Sequence, residues 1–251
     1  MSKMKYIVLG ILSFFLVNCK NVEVEKRSAE YIVNKSIEIS GAAKVGNSKI
    51  DFDFRDKHYS ATRNNGTFSL MRLTVEANND SIFDVLTNDG FKRYMNDNEA
   101  VFVADSMKMN YSASVNSVHY FSVLPYGLND KAVNKTLLKD VQIKGQNYHT
   151  IKVTFNQDGG GEDFEDVFLY WIHAKTFELD YLAYSYNESS GIGMRFREAY
   201  NERYIDGIRF VDYNNYKPID VSIALTELPK LFETGELELL SIIELENIRV
   251  N

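Results

Sequence analysis

The second half of the chain is a succession of aromatic and β-branched segments separated by short polar turns, and this pattern most constrains the fold. Such segments predict β-strands, and a reversal as tight as Asp206-Gly207 can only join antiparallel neighbours. The predicted strands are 148–155, 166–173, 177–186, 193–205, 207–217 and 236–250.

The first half begins with a helix and continues as a meander. Apolar residues at helical spacing predict a helix over 28–43, with Ser28 as its N-cap. Alternating Ile50, Phe52 and Phe54 then indicate a strand with one apolar face. The next two predicted strands, 58–63 and 67–76, are joined at Asn64-Asn65-Gly66, whose residues tolerate a turn with positive φ.

The middle of the chain is less regular. We expect a short helix at 82–86, a strand at 99–104 and a helix over 105–124 that Pro125 ends. A second short helix is predicted at 129–137, and 223–232 is interpreted as irregular or helical.

Together these elements predict an α+β fold, a large curved antiparallel sheet of nine or ten strands forming a half-barrel. The 16 Tyr and 16 Phe favour broad aromatic sheet faces. With no linker-like stretch after residue 27, we expect a single domain over 28–251. Its concave face must be covered by helices or by a ligand.

The N-terminus carries an export pattern. Lys3 and Lys5 precede an apolar stretch over 6–17, which Leu16-Val17-Asn18-Cys19 closes. That stretch is too short for a membrane span and is typical of a cleaved signal peptide. It looks like a bacterial lipoprotein signal, although Asn18 departs from the usual small residue before the cysteine.

This likeness implies cleavage after residue 18, acylation of Cys19 and a polar tether over 19–27. Two acyl chains give stable membrane attachment. The alternative is an ordinary signal followed by a coincidental cysteine. Cys19 is the only cysteine, however, and a free thiol with no disulfide partner is unusual in an exported protein.

The formal net charge is −7, and the predicted signal holds two lysines and no acid. Nucleic-acid affinity depends on cations that neutralise phosphates. An acidic exported protein is therefore not expected to bind nucleic acid.

Six segments along the chain carry a family resemblance: VNSVHY (115–120), LPYGL (124–128), GGGED (159–163), YLAY (181–184), RFR (195–197) and DYNNY (212–216). They resemble a family of Bacteroidota lipoproteins that carries no assigned function. The order of elements is also similar to the lipoprotein carriers LolA and LolB, half-barrels closed by helices around a hydrophobic cavity. That second resemblance implies binding of an acyl chain or another apolar molecule.

Aromatic side chains of two adjacent predicted strands are candidates for the wall of an apolar pocket. Both faces of 167–173 are apolar, which fits a central core strand or a sheet with a pocket on one side. The pocket interpretation nominates Tyr170, Trp171, Tyr184 and Tyr186. The alternative makes them ordinary core residues.

Arg195, Arg197 and Arg203 share one face of the strand over 193–205, together with Asn201. The guanidinium fork suits carboxylate and phosphate, so we nominate Arg195 and Arg197 as ligands of an anionic head group. The alternative is a solvated outer face paired with acids.

No motif nominates a metal, a cofactor or a catalytic centre. Five carboxylates flank a Gly-rich stretch over 158–166, but calcium-loop spacing is absent, so an acidic turn is the simpler interpretation. The four histidines have no metal-ligand spacing. They are His58, His119, His149 and His173.

The sequence thus predicts an envelope lipoprotein, anchored in the outer membrane on its periplasmic or surface side, that binds a lipid-like ligand. The two alternatives are an envelope hydrolase with cleft carboxylates and a scaffold lipoprotein that binds another envelope protein. We favour a binding protein over an enzyme.

Overall fold

The computed structural model describes residues 28–96, 99–159, 164–188 and 191–251. The signal over 1–18, Cys19 and the tether over 19–27 lie outside the described residues, as does 160–163 of the acidic loop.

The first of two sheets is an antiparallel meander. Each strand pairs with the one before it, and β15, from the C-terminus, pairs with β1 at the far edge. The strands are β1 (Asn47–Phe54), β2 (Lys57–Asn64), β3 (Thr67–Val75), β4 (Ser81–Thr87), β5 (Gly90–Met95), β6 (Glu99–Val101) and β15 (Glu246–Val250).

The second sheet is also antiparallel, in the order β14-β13-β12-β11-β10-β9-β7, and β8 pairs with β9 beside this path. Its strands are β7 (Val133–Leu137), β8 (Val141–Ile143), β9 (Gln146–Phe155), β10 (Val167–His173), β11 (Leu179–Glu188), β12 (Gly191–Ile205), β13 (Ile208–Pro218) and β14 (Leu237–Ile243).

The two sheets meet where the chain leaves β14 and enters β15. Buried Asp212 accepts a hydrogen bond from the Leu245 N–H at 2.9 Å, and Arg203 donates to the Leu245 carbonyl at 2.6 Å. These contacts fix an interruption between β14 and β15 at residues 244–245. The expected single strand over 236–250 is therefore wrong, because the segment forms two strands. The result is an open curved antiparallel sheet, which confirms the predicted fold class.

Three α-helices are found in the described residues: α1 (Ala29–Ile39), α2 (Asp105–Ser122) and α3 (Leu228–Glu233). The Ser28 hydroxyl caps α1 by accepting a hydrogen bond from the Tyr31 N–H at 3.1 Å. This helix ends before residue 43, because Gly41 adopts a positive φ of 64° against the backbone of Gly207. The helix expected over 105–124 is confirmed as α2.

Buried charges attach α2 to the first sheet. The Asp84 carboxylate, only 1% exposed, accepts hydrogen bonds from Arg72 at 2.7 Å and Arg93 at 2.6 Å. Arg72 also donates to the hydroxyl of Ser114 on α2, and Arg93 lies 3.7 Å from the ring centroid of Tyr111. Each arginine therefore contacts both the Asp84 carboxylate in the sheet and a side chain of α2.

Both faces of the second sheet are buried. Phe168, Tyr170 and Leu182 point to the concave face beneath α1 and α2. Trp171 and Phe196 point the opposite way, where residues of α3 cover them. Side chains of opposite parity along one strand thus enter different cores.

Two short predicted helices are wrong. The segment 82–86 lies in β4, which forms a hairpin with β5, and 129–137 contains β7, which pairs with β9. In each case hydrogen bonding to a neighbouring strand overrides the weak local helical pattern.

Candidate functional site

Helix α2 crosses the concave face and leaves a cleft on each side. Ser117 and Phe121 of this helix face both clefts. The first cleft lies between α2, the end of β1 and strands β11 to β14, and has a volume of about 500 Å³. That volume is in the usual range for small-molecule sites.

The wall of the first cleft presents apolar and polar surface in about equal shares. Its aromatic rings come from β1, α2 and the second sheet, and its aliphatic side chains come from α2, β13, β14 and the junction before β15. The apolar lining consists of Phe54, Val118, Phe121, Tyr184, Tyr186, Val211, Tyr213, Leu240, Ile243 and Leu245.

Arg197 brings a buried positive charge to this cleft. Only 8% of the residue is exposed, and its guanidinium lies 3.9 Å from the ring centroid of Phe121. It donates to the Tyr184 hydroxyl at 2.8 Å and to the Asn215 side-chain oxygen at 3.4 Å. Among the described residues it forms no ion pair with a carboxylate, so its charge is balanced only by dipoles and an aromatic face.

Arg195 lies on the same face of β12 and is more accessible. Its guanidinium donates to the Met194 carbonyl at 2.8 Å and lies 5.3 Å from the ring centroid of Tyr186. Tyr186 in turn covers Gly193 on the paired strand, where a Cβ atom would collide with the ring. Exposed Arg55 contributes a third guanidinium to the lining.

The structure brings together four of the six nominated ligand-binding residues: Tyr184, Tyr186, Arg195 and Arg197. Tyr170 lies deeper, where its hydroxyl is 2.6 Å from that of Tyr120 and burial raises the pKa of both groups. Trp171 points to the opposite face of the sheet.

Sequence reasoning missed the polar partners of Arg197. Arg197, Asn215 and Ser241 are paired across β12, β13 and β14, and the Asn215 amide donates to the Ser241 hydroxyl at 3.0 Å. Alternation along β13 places Asn215 on the face of Val211 and Tyr213, which was the available signal. No sequence signal pointed to Ser241, because its position opposite Asn215 depends on the register between β13 and β14, which is a long-range property.

A second cleft lies on the other side of α2, in two connected lobes of about 400 and 530 Å³. Among the described residues that line this cleft, Asp130 is the one with a carboxylate side chain. Partial burial raises the pKa of Asp130, and the positive charge of Lys135 opposes this. The hydrolase alternative needs two carboxylates in one cleft, and the described lining residues provide this one.

For metals, the described residues contain no cluster of three or more His, Cys, Asp or Glu side chains arranged to hold an ion. The calcium alternative over 158–166 concerns a loop of which residues 160–163 are not described.

The open antiparallel sheet with a helix across its concave face defines the LolA-like class of fold. The chain is similar to the crystal structure of a LolA superfamily protein of Nitrosomonas europaea, with a TM-score of 0.51 and 13% identity over 89% of this chain and 94% of that one. It is also similar to the crystal structure of a DUF1329 family protein of Desulfovibrio piger, with the same TM-score of 0.51 and 9% identity over 89% of this chain and 93% of that one.

Within this class, the chain belongs to DUF6503, a family of unknown function whose model matches residues 5–245. No curated protein matches the chain. None of the helices in the described residues is both long and apolar enough to cross a membrane.

Proposed function

We propose that this protein is a lipid-anchored protein of the cell envelope, attached to the outer membrane through Cys19, whose first cleft binds an apolar or amphiphilic ligand. The observation that carries the proposal is Arg197. It is a buried guanidinium without a carboxylate partner among the described residues, in a cleft whose lining combines aromatic and aliphatic side chains with arginine, asparagine and serine groups.

The chemistry of the cleft suits a molecule with an oily body and an anionic head. Burial of the body would contribute about 25 cal/mol per Å² of apolar surface. The head would accept hydrogen bonds from Arg197 and, nearer to solvent, from Arg195. The resemblance to lipoprotein carriers supports the same class of ligand.

Loss of the Arg197 charge should weaken binding of an anionic amphiphile in the first cleft. We expect Arg197→Gln, made in the Cys19→Ser chain so that no anchor interferes, to weaken dodecyl phosphate binding at this site by about tenfold or more. Calorimetric titration measures this. Dodecanol, which lacks the charge, should bind both proteins about equally.

Arg249→Gln is the matched control, because Arg249 is an exposed arginine on β15 outside the first cleft. It should leave dodecyl phosphate affinity unchanged. The proposal is wrong if Arg197→Gln also leaves the affinity unchanged. Native mass spectrometry adds a check, since repeated recovery of empty protein without affinity for any amphiphile would contradict the ligand-binding function.

The anchor is tested by metabolic labelling with palmitate. Wild type should incorporate the label, and Cys19→Ala should lose it, because the acceptor sulfur is gone. Asn21→Ala, two residues into the tether, should be labelled like wild type. Equal labelling of wild type and Cys19→Ala would refute acylation at Cys19.

A further inference from the structure

The second cleft contains its own unpaired positive charge. Alternation along β2 turns Tyr59, Ala61 and Arg63 inward, and Arg63 is 8% exposed where it lines the smaller lobe. Its guanidinium lies 5.6 Å from the ring centroid of Tyr126. In the described part of the chain it forms neither a side-chain hydrogen bond nor an ion pair, and its Nη1 atom is buried without a partner.

The neighbours of Arg63 do not neutralise it. His119 lines the same lobe, but burial lowers the pKa of its imidazole to about 3, so the ring is uncharged near neutral pH. Asp130 also lines this lobe, but among the described residues it forms no ion pair with Arg63. The charge of Lys135 opposes the rise in the pKa of Asp130, although the ion-pair partner of Lys135 is Glu30 at 2.8 Å. Burial lowers the pKa of Arg63 as well, yet an arginine stays protonated. An isolated buried charge of this kind is unfavourable without a counter-ion.

The larger lobe adjoins this charge and is lined mainly, but not entirely, by apolar surface. The two lobes form one hollow, because both are lined by Phe68, Asn116, Tyr120, Gly127 and Asp130. Beyond these residues the larger lobe is lined by Leu86, Val133 and Phe155. A cation in one lobe and an apolar surface in the other match the two ends of a single-chain amphiphile.

We propose that the second cleft is a separate binding site for an anionic single-chain amphiphile, with Arg63 as the counter-charge of its carboxylate or phosphate head and the larger lobe around its alkyl chain. This site does not depend on what the first cleft binds. Helix α2 stands between the two sites and contacts both.

The test is a calorimetric titration of the Cys19→Ser chain with dodecyl phosphate, dodecanoate and inorganic phosphate. We expect two binding events for dodecyl phosphate in the parent chain. Arg63→Gln should weaken one of them by about tenfold or more and leave the other intact. Arg197→Gln should leave the binding event that depends on Arg63 unchanged.

A second variant keeps the test valid if Arg63→Gln does not fold. Asn116 is exposed on α2 and lines both lobes, so Asn116→Trp should block the hollow and remove the same event without touching the guanidinium. Arg249→Gln again serves as the charge control.

The outcomes are distinguishable. If both events persist in folded Arg63→Gln, or in Asn116→Trp, the second site is refuted whether or not the first cleft binds. Loss of both events in folded Arg63→Gln would indicate one continuous site and also refute it. If inorganic phosphate competes as well as dodecyl phosphate, the anion site stands with a free anion as its ligand, and the amphiphile assignment is overturned.

Discussion

Asp84→Ala should lower the free energy of unfolding by about 3–5 kcal/mol, because it leaves two largely buried guanidinium groups without their counter-charge. Arg72 and Arg93 both pair with Asp84, and both also contact α2. Denaturant unfolding measures the loss. Hydrogen exchange should speed up over α2 in particular, since the helix loses the partners that hold it to the first sheet.

Asp105→Ala is the control for this experiment. Asp105 lies at the start of α2 and pairs with Lys108 at 2.9 Å, but the carboxylate is exposed to solvent. Exposed pairs contribute about 0–1 kcal/mol, so this variant should remain close to wild type. A loss below about 1 kcal/mol in Asp84→Ala would show that the buried ion cluster does not secure the helix.

Acid should destabilise the protein through His119. Its ring is completely buried, its Nε2 lies 3.1 Å from the Met71 carbonyl, and desolvation lowers its pKa to about 3. In the unfolded chain the same group takes up a proton near pH 6.5. Below that pH the unfolded state binds more protons than the folded state, so stability falls as the pH is lowered.

The window for this effect lies between pH 6.5 and about 3. The slope should reach about 1.4 kcal/mol per pH unit, and the full loss should be on the order of 5 kcal/mol. Nearby Arg63 contributes in the same direction, because its charge also disfavours a protonated ring. Measurements between pH 6 and 5 precede most carboxylate titration, and the difference between wild type and His119→Gln in this range separates His119 from the three other histidines.

His119→Gln should be less stable than wild type at pH 7 but should show a shallower acid dependence. Val115→Ala provides the matched control, since Val115 is a buried residue of α2 one turn away that does not titrate. It should destabilise while keeping the wild-type slope. If His119→Gln and wild type have parallel pH profiles, His119 does not govern the acid response.

Much of the fold followed from local pattern. The alternation of Ile50, Phe52 and Phe54, and the hairpin at Asn64-Asn65-Gly66, are confirmed because each depends on a few consecutive residues. The helices expected at 82–86 and 129–137 are wrong because those segments lack a strong period of their own. Pairing with β3 and β9 decided their conformation.

The candidate site was predictable to a similar degree. Alternation placed Arg195 and Arg197 on one face, but it did not reveal whether that face met solvent or a cleft. Alternation also separates Tyr170 from Trp171, so one strand cannot supply both to a single pocket. Phe121 contributes to the site from α2, which is distant along the chain, and no sequence spacing predicts such a contact.

By itself, then, the sequence determined most of the strands, two of the helices and the parity of the strand faces, because strand geometry repeats every two residues wherever the strand lies. Only the tertiary structure decided that α2 divides the concave face into two clefts and that Arg197 and Arg63 each lie in one of them. The physical reason is that burial of a charge depends on which distant segments exclude water from it, and that exclusion exists only once the chain has folded.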